Sequence, residues 1–171
     1  RFDYVALIQG DEPMLIPEML DELVAPVRAR SGLHIVNLVA RISSVEEFED
    51  PDTVKVVGSP AGRALYFSRE AIPSRKKHER DVPMWKQLGI ILFSREALMA
   101  YPDLDVTPLE IVESVDMNRF LEHGWPIELA STSYVTYAVD TPEDLERVAD
   151  LMRGDPLFTR YRNADASEEG K

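Results

Sequence analysis

The run Tyr4-Val5-Ala6-Leu7-Ile8 carries no charge and stops on Gln9-Gly10-Asp11-Glu12-Pro13. A charge-free run of this length reads as a strand buried on both faces, as in a parallel sheet. In open α/β sheets, ligands sit beyond the carboxyl ends of the strands. A strand that ends on Gly and two acids therefore delivers carboxylates to the place where a site would be. The same order returns late in the chain. Tyr134 to Val139 reads as a strand, Asp140 follows it, and Thr141-Pro142-Glu143-Asp144 opens a helix. There Thr caps, Pro takes the first turn, and Asp144 completes a capping box.

Between these two landmarks the elements alternate. Pro17 and Glu18 open a helix whose apolar face is Met19, Leu20, Leu23 and Val24, and Pro26 is expected to end it. His34 to Ile42 has strand character, with Asn37 and Arg41 exposed or facing a site. Ser44 to Phe48 predicts a capped helical turn. Thr53–Val57 and Ala64–Phe67, joined by Gly58-Ser59-Pro60-Ala61-Gly62, predict a hairpin. Leu88 to Phe93 reads as a buried strand, followed by a helix that Ser94 caps. Thr107-Pro108-Leu109-Glu110 is a well-formed helix start, and the helix is expected to reach about Glu122. On it Glu113 and Asp116 are three apart and would share a face. Trp125 to Ala130 reads as a further strand.

The segment Ser74 to Pro83 holds Arg75, Lys76, Lys77, His78 and Arg80, the one dense basic cluster in a chain of formal charge -12. It reads as a solvated loop, or as a lid that attracts an anion. The acidic balance disfavours a nucleic-acid backbone as partner. It also means that an anionic substrate needs a metal or a local basic patch. The chain has no cysteine, which excludes disulfides and thiolate chemistry and fits a reducing compartment. No apolar run is long enough to span a bilayer. With 171 residues, 44% of them apolar, one domain with a real core is expected over residues 1–162. Residues 163–171 lack an apolar pattern and read as a disordered tail.

If the strands before Asp11 and Asp140 are neighbours, their carboxylates converge. Two hard oxygens so placed suit a magnesium ion that takes its other ligands from water and phosphate.

Five phrases in this order resemble the sugar-acid cytidylyltransferases of the CMP-Kdo synthetase type. They are Gln9 to Pro13, Val54-Lys55-Val56-Val57, Ala64 to Arg69 with Ile72-Pro73, Pro108-Leu109-Glu110, and Val139 to Leu145. The resemblance covers Tyr4 to about Met152. It implies a three-layer α/β/α nucleotidyltransferase with a mostly parallel sheet, cytoplasmic and usually a homodimer. It implies the reaction of CTP with a 3-deoxy-2-ulosonic acid to give the CMP-sugar and pyrophosphate, for lipopolysaccharide biosynthesis. Asp11 and Asp140 match the acids that hold the magnesium, and Arg69 matches an arginine at the sugar-acid site. A guanidinium there can clamp a carboxylate bidentately. Gln9 would lie near the nucleotide or sugar.

The chain departs from that pattern twice. The phosphate loop with which the family opens is not among these residues, so the chain is expected to be the later part of a longer protein. In Lys86-Gln87-Leu88-Gly89-Ile90-Ile91, Gln87 stands where the family has a sugar-facing His and Ile91 where it has Tyr. Asp116 and Met117 stand where it has Glu and Gln. Such changes alter which sugar is accepted, so an acceptor other than plain Kdo, such as a sialic-type acid, is expected. Arg75 or Lys76 would restore the lost anchoring. The competing expectation is a catalytically inactive relative that binds a nucleotide or sugar, or serves as a dimerisation scaffold.

Overall fold

The computed structural model describes residues 2–77, 82–139 and 141–161. Its frame is a six-stranded sheet built around the long strand β5 (Trp85–Ser94). Strand β2 (Ile35–Arg41) runs antiparallel along one edge of β5, from Ile35 opposite Phe93 to Arg41 opposite Trp85. The other edge is shared. Strand β1 (Tyr4–Ile8) takes the C-terminal half, with Tyr4 opposite Ser94 and Ile8 opposite Ile90. Strand β3 (Lys55–Gly58) takes the start, at Trp85 and Lys86. Strand β4 (Ala64–Ser68) completes a hairpin with β3, and β6 (Ile127–Thr132) lies parallel to β2.

Strand β2 explains the layering. Six of its seven residues are buried, and alternate side chains serve opposite faces. Val36, Leu38 and Ala40 pack with Leu88, Ile90 and Leu92 beneath Met19 and Leu23 of helix α1 (Pro17–Ala29). Ile35 and Val39 face the other way. They join Ile91, Phe93 and Ile127 with Ala97, Val115, Met117 and Phe120. These last four come from helix α3 (Arg95–Ala100), helix α5 (Met117–Glu122) and the residues just before it. Each fully buried side chain of this kind contributes roughly 1.5–3 kcal/mol of transfer free energy. The α/β/α layering is as expected from the sequence.

The helix starts follow their signals. Ser44 accepts from the Glu47 amide at the head of α2 (Val45–Glu49), and Ser94 accepts from the Ala97 amide at the head of α3. Thr141 and Asp144 form the capping box of α6 (Pro142–Arg153).

Several expectations are corrected. The sheet is mixed rather than mostly parallel: among the described pairings only β2 with β6 is parallel. Strand β5 re-enters between β1 and β2 with the opposite sense, and an apolar run reports burial without reporting direction. Strand β1 is not buried on both faces. Among the described residues it pairs on one edge only, and Val5, Leu7 and Ile8 are 42%, 42% and 43% exposed. Pro26 does not end α1. It sits in the last turn, where few amide bonds remain to be lost, and its carbonyl accepts from the Arg30 amide at 3.0 Å.

The helix from Thr107 does not run unbroken to Glu122. It stops at α4 (Pro108–Glu113), and Ser114 turns left-handed at φ 52° before α5 begins. Glu113 and Asp116 therefore do not share a helix face. Tyr134 to Val139 is not a strand. Its Val139 amide nonetheless donates to the Asp11 carbonyl at 3.0 Å. Asp140, His78, Arg80 and the 163–171 tail lie outside the described residues. No described helix is long and apolar enough to cross a membrane.

The hairpin does not present a free edge throughout. Asn118 reaches the outer edge of β4, accepting from the Phe67 amide at 3.3 Å and donating to its carbonyl at 3.0 Å. Its turn, with Gly62 at φ 81°, also folds back so that the Leu129 amide donates to the Gly62 carbonyl at 2.8 Å.

Candidate active site

A cleft of about 350 Å³ opens where β1 ends, where β5 begins, and where α4 gives way to α5. Gln9, Asp11, Arg69, Gln87 and Asp116 all line it. These five candidates come from four separate stretches of sequence, so their convergence is a property of the fold.

The end of β1 is fixed against Gly89 from two sides. The Gln9 amide donates to the Gly89 carbonyl at 2.8 Å, and the Gly89 amide donates to the Glu12 carboxylate at 3.2 Å. Glycine is required there because the Gln9 side chain lies directly over it: a Cβ on residue 89 would fall 2.8 Å from the Cβ of Gln9. This packing carries the chain on to Asp11. Oδ1 of Asp11 is buried with no hydrogen-bond partner among the described residues, and Oγ1 of Thr136, which also lines the cleft, is in the same state. Buried oxygens left this way cost free energy unless something binds to them.

Arg69 is held by backbone carbonyls. Its Nε donates to Glu113 O at 3.0 Å, Nη1 to Pro51 O at 2.9 Å and Asp52 O at 3.5 Å, and Nη2 to Ser114 O at 3.5 Å. Among the described residues no carboxylate forms a direct salt bridge with the guanidinium, although the Glu113 charge acts on it, so part of its charge is available to an anionic ligand. The loop that supplies the Pro51 and Asp52 carbonyls is anchored on both sides of them by Lys55, which is fully buried. Its Nζ donates to Asp50 O and Thr53 O, each at 2.7 Å, and to Arg69 O. Burial pulls the pKa of Lys55 down, and the nearby Asp50 and Glu70 only partly oppose that.

Glu113 does not line the cleft. Its carboxylate turns to β4, where it accepts from Tyr66 Oη, from Ser68 Oγ at 2.9 Å and from the Arg69 amide at 2.9 Å. Burial works to raise its pKa, but these donors outweigh burial and hold it below the usual range. The same contact, with burial as the larger cause, pushes Tyr66 up to about 12. Glu113 thus positions Arg69 rather than meeting a ligand. Asp116 faces the cleft, and burial raises its pKa.

Arg75 and Lys76 are not brought to the cleft. Both are exposed, and Arg75 Nη1 approaches the Met84 sulfur at 3.6 Å. Ile91 and Met117 are each 1% exposed and belong to the core, so those two positions face packing and not a ligand.

Glu12, Asp52, Ser114, Thr136 and Lys86 also line the cleft. Glu12 stood inside the opening phrase and Lys86 beside Gln87, whereas Asp52, Ser114 and Thr136 carried no sequence signal of their own. Lys86 is paired with Glu47 at 2.6 Å. Four carboxylates, from Asp11, Glu12, Asp52 and Asp116, thus face two cations. A polyanionic nucleotide would need a divalent cation to enter such a field. No group of three or more His, Cys, Asp or Glu suited to a metal occurs among the described residues.

A family model described as cytidylyltransferase matches residues 2–131. The 3-deoxy-manno-octulosonate cytidylyltransferase of Solibacter usitatus is 39% identical over 155 residues, 91% of this chain and 62% of that protein. The enzyme of that name from Geobacter metallireducens is 35% identical, over 88% of this chain and 63% of its own length. The chain thus spans somewhat under two thirds of these relatives. A solved CMP:2-keto-3-deoxy-manno-octonic acid synthetase complexed with CTP superposes with a TM-score of 0.81 at 35% identity, over 89% of this chain and 62% of that one. The inositol-1-phosphate CTP transferase from T. maritima, 13% identical with a TM-score of 0.52, shares the fold.

Proposed function

The chain belongs to the cytidylyltransferase family, and from that premise we propose that the protein carrying it activates a 3-deoxy-2-ulosonic acid with CTP. The anomeric hydroxyl of the acid attacks the α-phosphorus and releases its proton to solvent. The bond from that phosphorus to the bridging oxygen breaks, and pyrophosphate leaves. No covalent enzyme intermediate is needed, so positioning and charge stabilisation do the work. The observation that carries this reading is the convergence of Gln9, Asp11, Arg69, Gln87 and Asp116 in one cleft.

Asp11, together with Asp140, would hold the magnesium. The partnerless buried Oδ1 of Asp11 and the acidic lining both fit a hard divalent cation. When bound, that ion offsets phosphate charge and orders the triphosphate. Arg69, held in place by backbone carbonyls, attracts the carboxylate of the sugar acid through its charge and the N–H those carbonyls leave over. Gln9 lies over the β5 glycine at the nucleotide–sugar boundary, and Gln87 and Asp116 meet sugar hydroxyls. The relatives' names favour 3-deoxy-manno-octulosonate as acceptor. Gln87, which lines the cleft, favours a related acid with different hydroxyl contacts.

The protein works in the cytoplasm, where CTP is made. It pairs as a homodimer through exposed apolar side chains, Leu65 on β4 and Ile111 and Val112 on α4, which are 62%, 68% and 80% exposed. A Val112→Lys variant is then monomeric by sedimentation where the unaltered protein is dimeric.

The decisive test is pyrophosphate release by the full-length protein with CTP and magnesium. The panel comprises 3-deoxy-manno-octulosonate, N-acetylneuraminate and related ulosonic acids. Release with one acid, abolished in Asp11→Asn and Asp140→Asn, supports the reading. Failure with every acid leaves the alternative of a nucleotide- or sugar-binding relative, which titration with CTP would then test.

A further inference from the structure

Asn37 is fully buried in the middle of β2, and its side chain is committed on every side. The register of β2 against β5 shifts between Asn37 and Val39. At that irregularity Nδ2 of Asn37 donates to two carbonyls, Leu38 O at 2.9 Å and Leu88 O at 3.0 Å. A carbonyl can only accept, and only the nitrogen end of an amide can donate. The reverse orientation would set Oδ1 against two carbonyl oxygens, so the amide of Asn37 has one allowed sense. Its Oδ1 must then find a donor. That donor is Nε2 of Gln87, at 2.8 Å.

The consequence passes to the cleft. With Nε2 turned to Asn37, the oxygen Oε1 of Gln87 is held away from it and has no partner among the described residues. Gln87 lines the cleft. We propose that Asn37 is a positioning residue that fixes the polarity of Gln87, so that the cleft offers a hydrogen-bond acceptor at this point and selects a sugar acid that donates a hydroxyl to it. A glutamine free to rotate its amide would accept either a donor or an acceptor from the ligand. A glutamine locked by a buried asparagine discriminates, because a ligand acceptor placed against Oε1 leaves two oxygens facing each other without a proton.

This deepens the reading given under Proposed function and rests on it for the identity of the ligand. The test is a double-mutant cycle in the full-length protein, using CTP, magnesium and the acid that releases pyrophosphate fastest. Gln87→Met removes the acceptor and keeps the volume. It raises the KM for the sugar acid about tenfold, the value of one hydrogen bond, and leaves the KM for CTP unchanged. Asn37→Ala raises the same KM, and the double variant is no worse than the worse single variant, because Asn37 acts only through Gln87. Losses that multiply, or an equal rise in the KM for CTP, overturn the proposal and leave Asn37 as a sheet residue only.

Asn37→Ala orphans two carbonyls and can fail to fold. The Gln87 side-chain amide is therefore also read by NMR in the unaltered protein and assigned by its loss in Gln87→Met. One protected, downfield N–H before any ligand is added supports the lock; two fast-exchanging protons refute it. Since this measurement needs no turnover, absence of activity with every acid would sink the functional reading without deciding the polarity of Gln87.

Discussion

At the scale of single residues, the cleft is set by contacts between distant parts of the chain. Gly89 is the sharpest case. Its neighbour Gln9 approaches through a backbone bond and its own Cβ, and neither can swing aside. A Gly89→Ala protein is expected to fold and to displace the end of β1, which carries Asp11. A misplacement of about an ångström costs on the order of 100-fold in turnover. Initial rates beside a thermal melt check this, and an unchanged kcat would show that the packing of Gln9 on residue 89 does not position Asp11. Lys55 is the second case. Replacing it with Met leaves the carbonyls of Asp50, Thr53 and Arg69 without their buried donor, at a cost of roughly 2–3 kcal/mol in stability. The sugar-acid KM is expected to rise, because the same loop holds the Arg69 guanidinium through Pro51 and Asp52. Urea unfolding and the KM pair for acid and CTP separate the two effects. Lys55 stands inside a phrase that pointed to the family, and Gly89 inside the stretch where the chain departs from it. Neither role could be read from the sequence, because each depends on what approaches from far along the chain.

At the scale of elements, local grammar placed starts better than it placed stops and directions. Ser94 and the Thr141–Asp144 box cap helices as their spacing implies, since a cap is a bond between residues three apart. The sense of a strand is settled by partners, which is why the apolar runs at β1, β2 and β5 gave burial or pairing without giving order. The break between α4 and α5 had no local signal either. Ser114 adopts φ 52°, ψ 46°, a conformation in which an L side chain crowds its own carbonyl. The turn is held by the Val115 amide bonded to Glu110 O at 3.2 Å and by the Arg69 contact to Ser114 O. Glycine relieves the crowding, and its extra freedom when unfolded offsets part of that relief. A Ser114→Gly variant should therefore be more stable by about 0.5 kcal/mol. Ser114→Val should be less stable than the unaltered protein, since a β-branched residue is poorly accommodated there. Denaturant midpoints decide it, and a stabilising valine would show that the turn is not strained.

Across the whole molecule, the acids that matter for stability are those the fold has shifted. Glu110 accepts two bonds from Arg119, Nε to Oε2 and Nη2 to Oε1, both at 2.6 Å. That pairing, opposed by partial burial, holds its pKa below the ordinary 4.5. A carboxylate depressed in the folded state stabilises fully above its unfolded pKa, and the contribution disappears as pH falls through the folded pKa. Glu113 works in the same direction. Asp116 works in the opposite one: burial raises it above 3.8, so its contribution is complete below 3.8 and lost as pH rises through the raised value. Glu110→Gln should therefore be less stable than the unaltered protein at pH 7, with the gap narrowing once pH drops below about 4.5, the unfolded value for Glu. Asp116→Asn should show the reverse, gaining on the unaltered protein at pH 7 and losing that gain toward pH 3. Urea unfolding of the three proteins from pH 7 to pH 3 measures both gaps. A gap for Glu110→Gln that stays constant over that range would mean that its carboxylate titrates alike in the folded and unfolded chains, and the Arg119 pair would then have no part in acid stability.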